Sequence, residues 1–102
     1  MSIIKSGFFA YPSVPEVNGE IIEEAIRKIH KSGTTTLIQS WKNLNISGNL
    51  IISKILKQIE SADFFCADIT GLNENVLFEL GFAIGKRKPV WIIQDTSIQD
   101  SY

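Results

Sequence analysis

The stretch from Asp68 to Gly85, DITGLNENVLFELGFAIG, holds most of the residues able to do chemistry. Glu79 is the first of them. At helical spacing its same-face neighbours are Asn75, Val76, Phe82 and Ala83. A carboxylate among apolar groups loses hydration, which raises its pKa, whereas a helix N-terminus stabilises the anion. Glu79 is expected in about the first turn of its helix, so both effects bear on it, and an ordinary first-turn glutamate is the competing reading. Asp68 ends an apolar strand. It faces either a pocket or the following loop, where it would brace Thr70 and Gly71 in an Asx turn. Asn73 and Asn75 are both good helix N-cap types. Tyr11 and Trp41 lie in loops, where Trp41 either stacks on a planar ring such as a base or nicotinamide, or covers the core.

Other reactive types point away from catalysis. His30 and the Lys86-Arg87-Lys88 cluster fall at helix C-termini, where cations complement the helix dipole. Cys66 is the single cysteine, unable to form an internal disulfide, and reads as a small buried strand residue. The sequence contains no GxGxxG, no GxxxxGK[ST], no Cys/His metal spacing and no plausible Ser/His/Asp set.

Alternating strands and helices would position these groups. Ile3 to Ala10 is an Ile- and Phe-rich strand, and Tyr11 to Asn18 a proline-containing loop. Glu20 to Lys31 is a helix with Ile21, Ile22, Ala25, Ile26 and Ile29 in one stripe, Asn18 as its N-cap and Gly33 as its stop. Thr34 to Gln39 is a β-branched strand, Ser40 to Ser47 a polar loop and Gly48 to Glu60 a second amphipathic helix. Phe64 to Ile69 is the third strand, Thr70 to Glu74 a loop, Asn75 to Lys86 a helix apolar almost all round, and Pro89 to Gln94 the fourth strand. Gly81 and Gly85 inside that last helix suggest close approach to the sheet or to a partner helix. Continuous apolar strands imply a sheet covered on both faces. The expectation is a small doubly wound, flavodoxin-like α/β domain, a four-stranded parallel sheet in order 2-1-3-4 with helices on both faces. Ligands of such sheets bind outside the carboxyl ends of the strands, next to Tyr11, Trp41, and Asp68 to Asn75.

Length and composition narrow the classes. The 102 residues make one domain, and 44% hydrophobic residues argue against disorder. Ten basic against eleven acidic residues leave a net charge of −1, which disfavours a nucleic-acid-binding face. No apolar run reaches the roughly 18–20 residues of a membrane span. The start, MSIIKSGFF, does not read as a secretory signal, so the expected compartment is cytoplasmic.

The segment ADFFCADITGLNENVLFELGFAIGKRKPVWII resembles the nucleoside 2-deoxyribosyltransferase and TIR-like superfamily. The resemblance lies in Asp at the strand end, Asn-x-Asn-Val and Glu-Leu-Gly-x-Ala on a helix, and Lys-Pro before a buried strand. FFAYP and a Trp followed by Gly-x-x-Ile, at Trp41 and Gly48, extend it over most of the chain. It implies cleavage of an N-glycosidic bond on a nucleotide or NAD, with Glu79 at the position of the family's catalytic glutamate. It also implies sugar-orienting roles for Asp68 and Asn75, within a site that includes Tyr11, Trp41 and Asn73. No cofactor is implied; NAD would enter as a substrate. Two other functions fit the same resemblance: a non-catalytic nucleotide-sensing or interaction module, and a base-exchanging deoxyribosyltransferase. Where relatives often carry an acidic residue soon after the Trp, this chain has Lys42 and Asn43. The expected partners are a small nucleotide or nucleoside, and either a second copy of the chain or fused domains, with 1–102 as one domain at the N-terminal end of a longer protein.

Overall fold

A computed structural model describes residues 4–44 and 51–95. In chain order these form β1 (Lys5–Ala10), α1 (Glu16–Lys31), β2 (Thr36–Gln39), α2 (Ile51–Ser61), β3 (Phe64–Asp68), α3 (Glu74–Gly85) and β4 (Val90–Ile93). Short 3-10 turns cover Trp41–Asn43 and Thr70–Leu72. The strands make one sheet in order β2-β1-β3-β4, and each adjacent pair is parallel. This is the doubly wound architecture that the β-α alternation predicts. Ile3 and 48–50, expected to begin a strand and a helix, lie outside the described residues.

Strand alternation divides the core between the two faces. Phe8 and Ala10 of β1 and Phe65 and Ala67 of β3 point to one side, where Ile55 and Ile59 of α2 and Val76 and Ala83 of α3 cover them. Phe8 and Phe65 lie stacked, with ring centroids 6.5 Å apart and planes 12° from parallel. On the opposite side Ile22 and Ile26 of α1 pack with Tyr11 and Ile38. Cys66 is only half-buried, though burial still pushes its thiol up to about 11.

Several local expectations are corrected. Helix α1 begins at Glu16, not Glu20, with Pro15 at its N-cap. Proline has no N–H to leave unpaired at a helix start, and its fixed φ suits the entry. Asn18 therefore lies inside the first turn, where its N–H donates to the Pro15 carbonyl at 3.2 Å. Strand β2 starts two residues late because Thr34 makes a local turn: its Oγ1 accepts the Thr36 N–H at 3.3 Å, just after Gly33 at φ +82°. His30 is not a simple dipole partner. Its Nε2 accepts the Ile38 N–H at 3.0 Å, so an imidazole occupies a donor on the open edge of β2.

Helix α3 is apolar all round but buried only along one line, at Val76 and Ala83. Leu77, Phe78 and Ile84 are exposed, as is Ile52 on α2. A Cβ added at Gly81 or Gly85 would meet nothing within 4 Å, so neither glycine marks a close approach to the sheet. Gly7 does mark one. It pairs with Phe64 across the sheet, and a Cβ there would fall 2.2 Å from the Phe64 ring. At the far edge Trp91, Ile92 and Ile93 of β4 are exposed, with Trp91 set edge-on against Phe64 at 5.4 Å. Among the described residues no helix is long and apolar enough to cross a membrane.

Candidate functional site

A cleft of about 230 Å³ opens at the carboxyl ends of β1 and β3. Tyr11, Pro12, Ser13 and Trp41 form one wall; Ile55, Asn73, Asn75, Val76 and Glu79 form the other. Five of the six residues singled out in the sequence therefore meet in one place, and Asp68 does not.

The first wall is aromatic. Tyr11 follows β1 directly and is buried; Trp41 is half-buried in its 3-10 turn. Their ring centroids lie 5.8 Å apart at 48°. Trp41 packs against both core clusters, as its core-covering reading expects, and it also lines the cleft. The segment expected as a plain polar loop is folded here by a capping box. The Asn43 side chain accepts the Ser40 N–H at 2.8 Å, and Ser40 Oγ accepts the Lys42 N–H at 3.3 Å. Lys42 Nζ stands 5.8 Å from the Trp41 ring centroid. Among the described residues lining the cleft, none is lysine or arginine.

The second wall is the first half of α3. Asn73 is its N-cap, with Oδ1 accepting the N–H groups of Asn75 at 2.9 Å and Val76 at 3.1 Å. Asn75 is an exposed residue one position inside the helix. Replacing Asn73 by alanine is expected to cost about 1 kcal/mol in urea unfolding, while Asn75→Ala stays within about 0.5 kcal/mol. Equal losses would contradict this division.

Glu79 is the sixth residue of α3, one residue further in than expected and past the first turn. The helix dipole acts mainly on the first turn, so the competition left open in the sequence is decided by desolvation. Burial pushes the Glu79 carboxyl up to about 7. The ion pairs among the described residues, Arg27–Glu24 and Lys86–Glu60, give it no cation. Glu79 and Asn75 also line an adjoining apolar groove with Ile52, Leu56 and Phe78. The glutamate thus stands on the ridge between the cleft and the exposed face of α2 and α3.

Asp68 is buried elsewhere. Its Oδ1 accepts the Thr70 N–H at 3.0 Å, which is the Asx turn anticipated as its alternative, and Thr70 Oγ1 accepts the Asp95 N–H at 2.7 Å. Asp68 lines a separate recess with Asn18, Ile22 and Asp95. Two residues behind the cleft escaped the sequence reading: Glu23, whose Oε2 accepts from Tyr11 and from Ser40, and Ser40 itself. The signal existed. Gly19, Ile22, Glu23 and Ile26 share one face of α1, and Glu23 is the charged member of that stripe.

The fold is nucleoside 2-deoxyribosyltransferase-like. Solved structures carry that assignment. A 2-desoxiribosyltransferase from Leishmania mexicana superposes with a TM-score of 0.76 at 24% identity, over 88% of this chain. This chain spans 64% of the length of that protein. A conserved protein from Enterococcus faecalis V583 gives 0.77 at 17% identity, over 97% of this chain and 69% of its own. The Clostridium botulinum CMP N-glycosidase BcmB gives 0.67 at 21% identity, over 88% and 71%. No family model and no curated protein sequence matches the chain.

Proposed function

We propose that this chain cleaves the N-glycosidic bond of a nucleotide or nucleoside, NAD included, with Glu79 as the catalytic carboxylate. The observation that carries the reading is the placement of Glu79: a half-buried carboxyl, without an ion pair among the described residues, facing an aromatic wall across an open cleft. When a base leaves C1′ of a sugar, positive charge develops on the ring carbon and oxygen. A carboxylate a few Å away stabilises that charge or captures the carbon as an ester, which water or another base then releases. Its worth is greatest where water is excluded. The Tyr11–Trp41 wall suits a planar base, and Asn75, which lines the cleft with Glu79, is assigned to the sugar hydroxyls. Two structural neighbours support the class by name, one a 2-desoxiribosyltransferase and the other a CMP N-glycosidase.

Incubation of the protein with CMP, cytidine, 2′-deoxycytidine and NAD, with chromatography for free base or nicotinamide, tests this. Release of base from at least one is expected. Binding without release would favour a sensing module, and transfer to an added second base would favour a deoxyribosyltransferase. Lys42 places a cation over the Trp41 ring of this wall, so CMP against cytidine is the informative pair.

The working unit proposed is a dimer or a domain of a longer protein. Leu77, Phe78 and Ile84 leave a large apolar face beside bare Gly81, continuous with the groove that Glu79 shares. A second copy seated there would further dehydrate Glu79. Sedimentation is expected to show a dimer, and Phe78→Asp a monomer; a parent chain that stays monomeric at high concentration would refute the dimer.

A further inference from the structure

We infer that Glu23, which does not line the cleft, is the positioning residue for its aromatic wall. The inference rests on the reading of the cleft as the ligand site. Three segments distant in sequence converge on one atom. Tyr11 Oη donates to Glu23 Oε2 at 2.5 Å, and Ser40 Oγ donates to the same oxygen at 2.5 Å. Ser40 is fully buried and begins the capped turn that carries Trp41. A single carboxylate on α1 therefore holds Tyr11 directly and Trp41 through Ser40.

The surrounding packing leaves Tyr11 little alternative. A Cβ at Gly19, one turn before Glu23, would fall 2.8 Å from Tyr11 Cε1, so α1 already presses on the ring. Glu23 has no ion pair among the described residues, and two hydroxyls solvate its carboxylate in place of a cation. Charge-assisted bonds of this kind are roughly twice as strong as neutral ones. They also commit the Tyr11 hydroxyl. Burial and the neighbouring Glu23 hold its proton well above the ordinary tyrosine range. Tyr11 thus offers the cleft its ring and does not serve as an acid or base there. Rings fixed before a ligand arrives lose less entropy on binding.

The test uses Trp91→Phe as background, which leaves Trp41 as the one indole. In Glu23→Leu, Trp41 emission is expected to shift to the red and acrylamide quenching to rise about threefold, with the far-ultraviolet circular dichroism kept. In Glu23→Gln, the remaining carbonyl oxygen still accepts from both hydroxyls and should restore most of the parent signal. Tyr11→Phe and Ser40→Ala each remove one donor and should shift Trp41 partway; these two decide the matter if Glu23→Leu does not fold. Unchanged Trp41 emission and quenching in the folded variants would overturn the inference. With a substrate found among those above, Glu23→Leu should raise KM about tenfold and leave kcat within about threefold. Loss of kcat at constant KM would overturn the positioning role. If the parent releases base from none of them, the proposed activity fails, while the Trp41 measurement still decides the role of Glu23.

Discussion

Replacing Glu79 by glutamine is expected to reduce base release roughly 10³-fold with the fold intact, a loss of about 4 kcal/mol of transition-state stabilisation. Glutamine keeps the shape and removes the charge that meets the sugar cation. The parent's rate should rise with pH through about 7, as the carboxyl that burial has raised gives up its proton. The same substitution has an opposite effect on stability. In the native state Glu79 titrates near 7, against 4.5 for an unperturbed glutamate. Between those values the native state holds a proton that the unfolded chain has released, so stability falls as pH rises through this window. Glu79→Gln removes that loss. At pH 8 the variant should be more stable than the parent by roughly 1–2 kcal/mol, the shift being discounted for partial exposure. Urea titrations at pH 4 and pH 8 measure this. A parent rate flat from pH 5 to 9, or a Gln variant that keeps most of the activity, would return Glu79 to a structural residue.

Phe65→Ala should have the largest effect on the fold itself. Phe65, the second residue of β3, is fully buried between β1 and β4 and stacks on Phe8. Truncating a buried phenylalanine costs about 3–5 kcal/mol, a large part of the roughly 5–15 kcal/mol a domain possesses. The expected outcome is a thermal midpoint lowered by more than about 10 °C. Trp91→Phe, on the exposed edge strand, should change it little. A small loss at Phe65 would mean that the α2/α3 side of the sheet is not the main core.

The sheet order was readable because its signals are local and redundant: apolar strands, short connections and a fixed crossover hand leave few topologies. Tyr11, Trp41, Asn73, Asn75 and Glu79 could be placed near one another for the same reason, since each follows or flanks a strand end. What was not readable depended on three-dimensional choices among equal local options. Asp68 had an Asx turn and a pocket open to it; it makes the turn with Thr70, and the recess it lines is not the cleft. Glu79 lay between burial and the dipole until the start of α3 was known. Glu23 carried no local signal of its role, because its partners are 12 and 17 residues away. The early start of α1 was hidden by reading Asn18 as a cap when Pro15 had already ended the loop.

The His30 imidazole on β2 also bears on how copies of this sheet can grow. A parallel sheet has two unlike edges, and head-to-tail joining of β4 on one molecule to β2 on the next would repeat without end, as in a filament. His30 obstructs that mode by occupying the outward Ile38 N–H. One side chain thereby blunts the β2 edge against the addition of another strand.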